Sequence, residues 1–221
     1  QDKAPGRALA MSTIAFTVCF AVWTIFSIIG VPIKDELGLS ETQFGLLVGM
    51  PILTGSLVRV VLGVWTDRFG GRLVYTATML AAAVATFLLA FAQTYAQMLV
   101  AALGVGLAGG SFAVGVAYVS RFFPAEKQGT ALGIFGVGNV GAAVTKFVAP
   151  FVLLAGGWQD VALIWASVLG FRALTSVFDG ATDIQIEDSL GRAWIAVQAG
   201  AISDRPLTVV FEPHTFSWRS R

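Results

Sequence analysis

The chain has 221 residues, a formal net charge of +1, 56% hydrophobic and 12% charged residues, and a mean hydropathy of +0.79. A soluble domain carries about twice that share of charge, so an ordinary soluble globule is excluded. The near-neutral balance gives no reason to expect nucleic acid or a strongly basic or acidic partner.

Charge is also unevenly placed. No Asp, Glu, Lys, Arg or His occurs over residues 8–33 or 73–120. A helix of about 20 apolar residues covers a hydrocarbon core of roughly 30 Å. The first stretch therefore holds one crossing and the second holds two. A cleaved signal peptide is a poor alternative, because its apolar region is about 7–15 residues and no further spans need follow. The single Cys19 excludes an internal disulfide, no metal-ligand spacing occurs, and no cofactor is expected.

In chain order the sequence predicts five full spans and a sixth that is only begun. They cover about 10–33, 42–65, 73–92, 98–120 and 130–155, with a further apolar run starting at Val161. Each must be helical, since lipid offers no partner to free backbone groups. Pro51 and Pro150 fall inside helical patterns and are expected to kink them. Lys3, Arg7, Arg68, Arg72, Arg121 and Lys127 lie on one side of this alternation, and Lys34 on the other. The positive-inside rule then puts the N-terminus and the first side in the cytoplasm. The fold expected is all-α, a polytopic six-helix bundle over residues 1–170 in the cell inner membrane.

From 171 to 221 the character changes. Arg172, Asp179, Asp183, Glu187, Asp188, Arg192, Asp204, Arg205, Glu212, Arg219 and Arg221 interrupt any apolar run. This polar tail is either a soluble appendage or off-frame, non-native sequence. The second reading is preferred, because the break falls inside an unfinished helix, which a bilayer penalises.

Glycines recur within the spans, among them Gly45 and Gly49 in the second and Gly104, Gly106, Gly109, Gly110 and Gly115 in the fourth. Small residues let helices approach closely in lipid, and packing is the preferred reading for most of them.

Arg59 is the most informative residue. It lies in the second span, eight positions before Asp67, or about 12 Å from the cytoplasmic edge. A buried arginine costs at least ~2.5–3.5 kcal/mol. A structural ion pair would explain it, but no carboxylate lies at similar depth. An anion site facing a water-filled cavity is the better account. Phe112, nine positions before Arg121, is about 13 Å deep, and Asn139, eleven after Gln128, about 16 Å. Three helices thus bring Arg59, Phe112 and Asn139 to nearly one level. Arginine holds a planar oxyanion with parallel hydrogen bonds, an asparagine amide donates, and a phenyl ring covers the flat face. Core packing for Phe112 and an interhelical hydrogen bond for Asn139 stay open as alternatives. Lys146 is about 27 Å from the same edge. It either snorkels to the outer interface or serves as a gate or coupling residue.

Two motifs carry a family resemblance. Gly63, Asp67, Arg68, Gly70 and Arg72, in the loop between the second and third spans, resemble the signature of the major facilitator superfamily. The fifth span, with Gly133, Gly136, Gly138, Asn139 and Gly141, resembles the nitrate signature of the nitrate/nitrite porter family. Gly109-Gly110-Ser111-Phe112, Phe122-Phe123-Pro124 and Lys127-Gln128-Gly129 are similar to that family as well, and the resemblance covers residues 11–169. It implies a twelve-helix transporter of nitrate or nitrite, by uptake or exchange, that binds its anion between two six-helix halves. It also implies that Arg59, Phe112 and Asn139 touch the anion and that the C-terminal half is missing here.

No Asp or Glu lies in the span interiors, which favours exchange over proton symport. A carrier of another small anion or organic acid shares the Arg59 argument. A sensor or scaffold without transport is the reading from another class. An enzyme is not expected, since the one histidine, His214, lies in the tail and no nucleophile–base pair occurs in the spans.

Overall fold

The structure is a computed structural model that describes residues 4–178, 181–188 and 191–198. Segments this apolar satisfy their backbone internally and so are helical. Helices α1 (Ala4–Trp23) and α2 (Phe26–Leu37) form one bent rod. Helices α3 (Glu41–Phe69) and α4 (Gly71–Leu89) follow. Helices α5 (Tyr95–Gly106) and α6 (Ser111–Ser120) are joined through the 3-10 turn Leu107–Gly110. Helices α7 (Ala125–Gly136) and α8 (Val140–Gly156) are joined through the 3-10 turn Val137–Asn139, and α9 (Trp158–Phe178) completes the bundle.

Among the described residues five rods are long and apolar enough to cross a membrane: Pro5–Leu37, Glu41–Phe69, Gly71–Leu89, Tyr95–Ser120 and Ala125–Gly156. The sixth run was expected to stop near Gly170, yet its helix continues unbroken to Phe178. Arg172 reads as a boundary in sequence. In space it is buried, donating through Nη2 to Met11 O at 3.0 Å and through Nη1 to Thr175 Oγ1 at 3.1 Å. Beyond α9, β1 (Ala181–Asp188) and β2 (Gly191–Gln198) pair antiparallel, with Ala181 opposite Gln198. The rest of the expected polar tail, His214 included, lies outside the described residues.

The rods alternate in direction, and each end of the bundle is fastened by local chemistry. At the far end Ser40 and Thr94 cap α3 and α5, each in a reciprocal box with Gln43 or Gln97. Tyr95 Oη donates to Gln43 O at 3.0 Å, and Lys34 pairs with Glu41 at 2.6 Å. At the N-terminal end Gly70, at φ 83°, stops α3 and starts α4, a conformation few other residues accept. Arg72 Nε donates from there to Ser176 O at 2.8 Å.

The core runs through α1, α4, α5, α6 and α9, where Cys19, Met79, Val105, Val114 and Leu169 are fully buried. Cover is uneven. The spans Glu41–Phe69 and Ala125–Gly156 are much less buried than the other three. Helices α3 and α7–α8 therefore present broad apolar faces that the described residues leave open.

Irregularities fall in the middle of four rods. Thr24 and Ser27 hydroxyls bond back to Phe20, Ala21 and Thr24 carbonyls where α1 meets α2, a habit that bends helices. Pro51 lies in α3, and the two 3-10 turns interrupt the fourth and fifth rods. Such breaks free backbone groups at mid-membrane, where they are tolerated only inside protein or beside a water-filled cavity.

Candidate anion site

The site is built where α3 meets the 3-10 turn of the fourth rod. That contact is close because it is lined with glycine. A Cβ on Gly106 would meet Pro51 O at 2.9 Å, and one on Gly110 would meet Val58 Cγ1 at 2.6 Å. The turn interrupts the regular backbone ladder, and Gly109 O accepts a hydrogen bond from Arg59 Nε at 3.3 Å. The guanidinium also lies over two rings, with Cζ 5.6 Å from the Trp23 centroid and 6.0 Å from that of Phe112. Each such contact is worth about 0.5–2 kcal/mol, more as water is removed. Among the described residues Arg59 has no carboxylate partner. Its positive charge is thus supported by one carbonyl and two aromatic faces, and the Nη1/Nη2 edge stays available.

Of the three residues expected at one level, Arg59 and Phe112 come together. Phe112 is 38% exposed, so it is not simply a core ring, and it also packs on Phe16 and Phe135 at 5.4 and 5.8 Å. Asn139 is exposed at the end of its 3-10 turn, with Nδ2 donating to Gly136 O at 2.8 Å. Among the described residues no contact of its amide reaches Arg59.

The signature glycines of the fifth rod divide into two sets. Gly138 lies against the Phe16 ring, and Gly141 against Thr17 O and Ala21 N, so this pair lets α8 approach α1. Gly133 and Gly136 face open space, as do Gly45 and Gly49 in α3. Packing, the reading preferred for most span glycines, accounts for those of the fourth rod but for none of these four among the described residues.

In the loop motif Gly63 is open, while between Gly70 and Arg72 a Cβ on Gly71 would strike the Tyr118 ring. Asp67 Oδ1 accepts from Arg121 Nη2 at 2.6 Å, and Arg68 is exposed. Lys146 is exposed on α8 beside the buried Thr145, which faces inward.

Trp23 escaped the sequence reading. Its indole Nε1 donates to Pro51 O at 2.8 Å, and its ring fills a notch left by Gly55 and Gly109, whose added Cβ atoms would lie 2.9 and 2.6 Å from that nitrogen. The available signal was the spacing Phe16, Phe20, Trp23, which sets three aromatics on one helix face. Their rings do form a continuous series, 5.4 Å from Phe16 to Phe20 and 5.2 Å from Phe20 to Trp23.

Comparison with known proteins agrees with this architecture. The family model described as Major Facilitator Superfamily matches residues 11–211. The probable nitrate/nitrite antiporter NarK1 of Thermus thermophilus is 43% identical over 74% of this chain and 40% of its own length. The nitrite extrusion protein of Bacillus subtilis is 31% identical over 78% of this chain and 44% of its own. The probable nitrate transporter NarT of Staphylococcus carnosus is 30% identical over 79% and 45%. The chain thus spans less than half the length of these curated relatives. Among solved structures, an inward-facing, unoccupied bacterial homologue of the human lysosomal transporter Spinster superposes with a TM-score of 0.69 at 19% identity, covering 80% of this chain and 43% of that one. That similarity speaks for the fold alone.

Proposed function

We start from the fact that this chain belongs to the major facilitator superfamily, and we propose that it forms the N-terminal half of a nitrate/nitrite porter working by alternating access. The chain is a multi-pass membrane protein of a transporter family. The observation that carries the reading is Arg59. It is a mid-span guanidinium with no carboxylate partner among the described residues, held by Gly109 O, Trp23 and Phe112 with its Nη edge unspent. Intramembrane arginines without a fixed counter-charge mark ion pathways, and a planar oxyanion fits a two-pronged guanidinium edge. The relatives' names, nitrate/nitrite antiporter and nitrite extrusion protein, point to the same substrate class.

The partner we infer is the C-terminal half of the same transporter, seated on the open faces of α3 and α7–α8 and closing the site over Arg59. Binding between halves near the midplane is the general design for such carriers. Asn139 and the open Gly133 and Gly136 belong, in this reading, to the face that meets that half. Lys146 remains the candidate gate or coupling residue. The N-terminus is cytoplasmic in an inner membrane, by the one-sided Arg and Lys pattern, and no enzymatic activity is proposed. Residues 171–178 finish α9, and residues 179–221 are read as a polar tail after it, non-native in sequence.

Arg59→Lys tests the site. It keeps the charge and loses the fork, so labelled-nitrate counterflow into proteoliposomes should fall at least about tenfold in the full-length transporter. Unchanged counterflow would remove Arg59 from the site. Competition by nitrite, but not by larger carboxylates, is expected from a small-oxyanion pocket. Binding without counterflow would instead favour a sensor.

A further inference from the structure

We infer that Trp23 is a positioning residue for anion binding: its ring fixes the Arg59 guanidinium so that only the Nη1/Nη2 edge is offered to the substrate. The inference rests on the anion-site reading of Arg59 and adds a residue and a geometry to it.

The geometry runs in three steps. Arginine has two edges able to take a planar oxyanion with two hydrogen bonds, one through Nε and an Nη, the other through both Nη groups. Here the Nε–H is spent on Gly109 O at 3.3 Å, so the side-on edge is occupied and the end-on edge remains. A single bond of that length does not fix a long side chain, and the Trp23 ring supplies the second restraint, at 5.6 Å from Cζ. Trp23 is itself immobilised by Nε1–H donation to Pro51 O at 2.8 Å and by the notch at Gly55 and Gly109. The carbonyl that holds Arg59 belongs to Gly109, one of the two glycines that make room for the indole. Three rods therefore meet at one bracket: α1 through Trp23, α3 through Arg59 and Pro51, and the fourth rod through Gly109. Phe112 closes the ring of contacts at 6.0 Å, linked back to Trp23 through Phe16 and Phe20.

A guanidinium held over an aromatic ring responds to the electron density of that ring. Fluorinated tryptophans keep the indole shape and its N–H while draining the ring face, so they separate stacking from packing. The test introduces mono-, di- and tetrafluorotryptophan at position 23 of the full-length transporter and follows nitrate counterflow in proteoliposomes. The expected result is a stepwise rise in KM, reaching about 3- to 10-fold at four fluorines, with kcat within about twofold and an unchanged melting temperature. Trp23→Leu should raise KM further, and Trp23→Phe should restore most of it, since a phenyl face still attracts a cation.

A flat KM across the fluorine series would overturn the role of Trp23. A falling KM would overturn it too, since it means the ring touches the anion rather than the cation. Either result with Arg59→Lys still inactive leaves the anion site standing. Wild-type counterflow that ignores Arg59→Lys removes the site itself, whatever the series shows.

Discussion

Arg121 donates through Nη2 to Asp67 Oδ1 at 2.6 Å and to Thr66 O at 3.2 Å, fastening the end of α6 to the end of α3 across 54 positions of sequence. The Asp67 side chain is 57% exposed and the Arg121 side chain 26%, so the Coulomb part is largely screened. Exposed pairs contribute about 0.2–1 kcal/mol. Asp67→Asn should therefore lower the unfolding free energy by no more than about 1 kcal/mol. Asp67→Arg should lower it more, by setting like charges together, and adding Arg121→Asp should recover part of that loss. Thermal melting in detergent of the parent, Asp67→Arg, Arg121→Asp and the double variant, treated as a double-mutant cycle, checks the sign of the coupling.

The glycines of the fifth rod give a contrast within one motif. A methyl at Gly141 would press on Thr17 O and Ala21 N, both backbone atoms that cannot turn aside. Overpacking of that kind costs about 1–3 kcal/mol. A methyl at Gly133 meets nothing among the described residues, and alanine is the better helix former by about 1 kcal/mol. In this chain alone, Gly141→Ala should melt lower than the parent and Gly133→Ala should melt at or above it. In the full-length transporter, loss of transport by Gly133→Ala at unchanged stability would mark that face as the contact with the second half.

Depth along a helix is readable from sequence, and rotation about its axis is not. Counting residues from Asp67 and Arg121 put Arg59 and Phe112 at one level, and the two side chains do meet. The same count put Asn139 there, but the 3-10 turn sets its amide against Gly136 O. Trp23 was invisible because an aromatic in an apolar span looks like any other. Its role depends on a bend at Thr24 and on glycines from two other rods. Arg172 misled for the opposite reason. A charge in a short apolar run reads as an end, yet Met11 O and Thr175 Oγ1 accept from its two Nη groups within the bundle. The glycines had two meanings that spacing alone could not separate, since contact with α1 decides which of them pack.

A buried relay joins three rods away from the anion site. Trp165 Nε1 donates to Thr145 Oγ1 at 2.9 Å, and Thr145 Oγ1 donates to Ala21 O at 2.7 Å. Thr145→Val keeps the shape and leaves the indole N–H without its acceptor, at a cost of about 1–3 kcal/mol. Thr145→Ser should retain most of the stability, because the hydroxyl survives. The melting temperature should order wild type, Ser, then Val, and Val at the wild-type value would show that the relay contributes nothing.

Gly109→Ala strikes the bracket at its narrowest point. The new methyl would sit 2.6 Å from Trp23 Nε1 and 2.7 Å from Cε2, so the indole must withdraw from its notch. That movement strains its bond to Pro51 O and takes the ring from beneath Arg59, while the Gly109 carbonyl remains as acceptor. The expected phenotype is a KM for nitrate raised about tenfold, a factor that corresponds to roughly 1.4 kcal/mol, with a smaller change in kcat. Shrinking the indole should relieve the clash, so Gly109→Ala combined with Trp23→Phe should bind more tightly than Gly109→Ala alone. Counterflow kinetics on both variants read this directly. A double variant weaker than the single one would mean that Gly109 acts through its own backbone rather than by making room for Trp23.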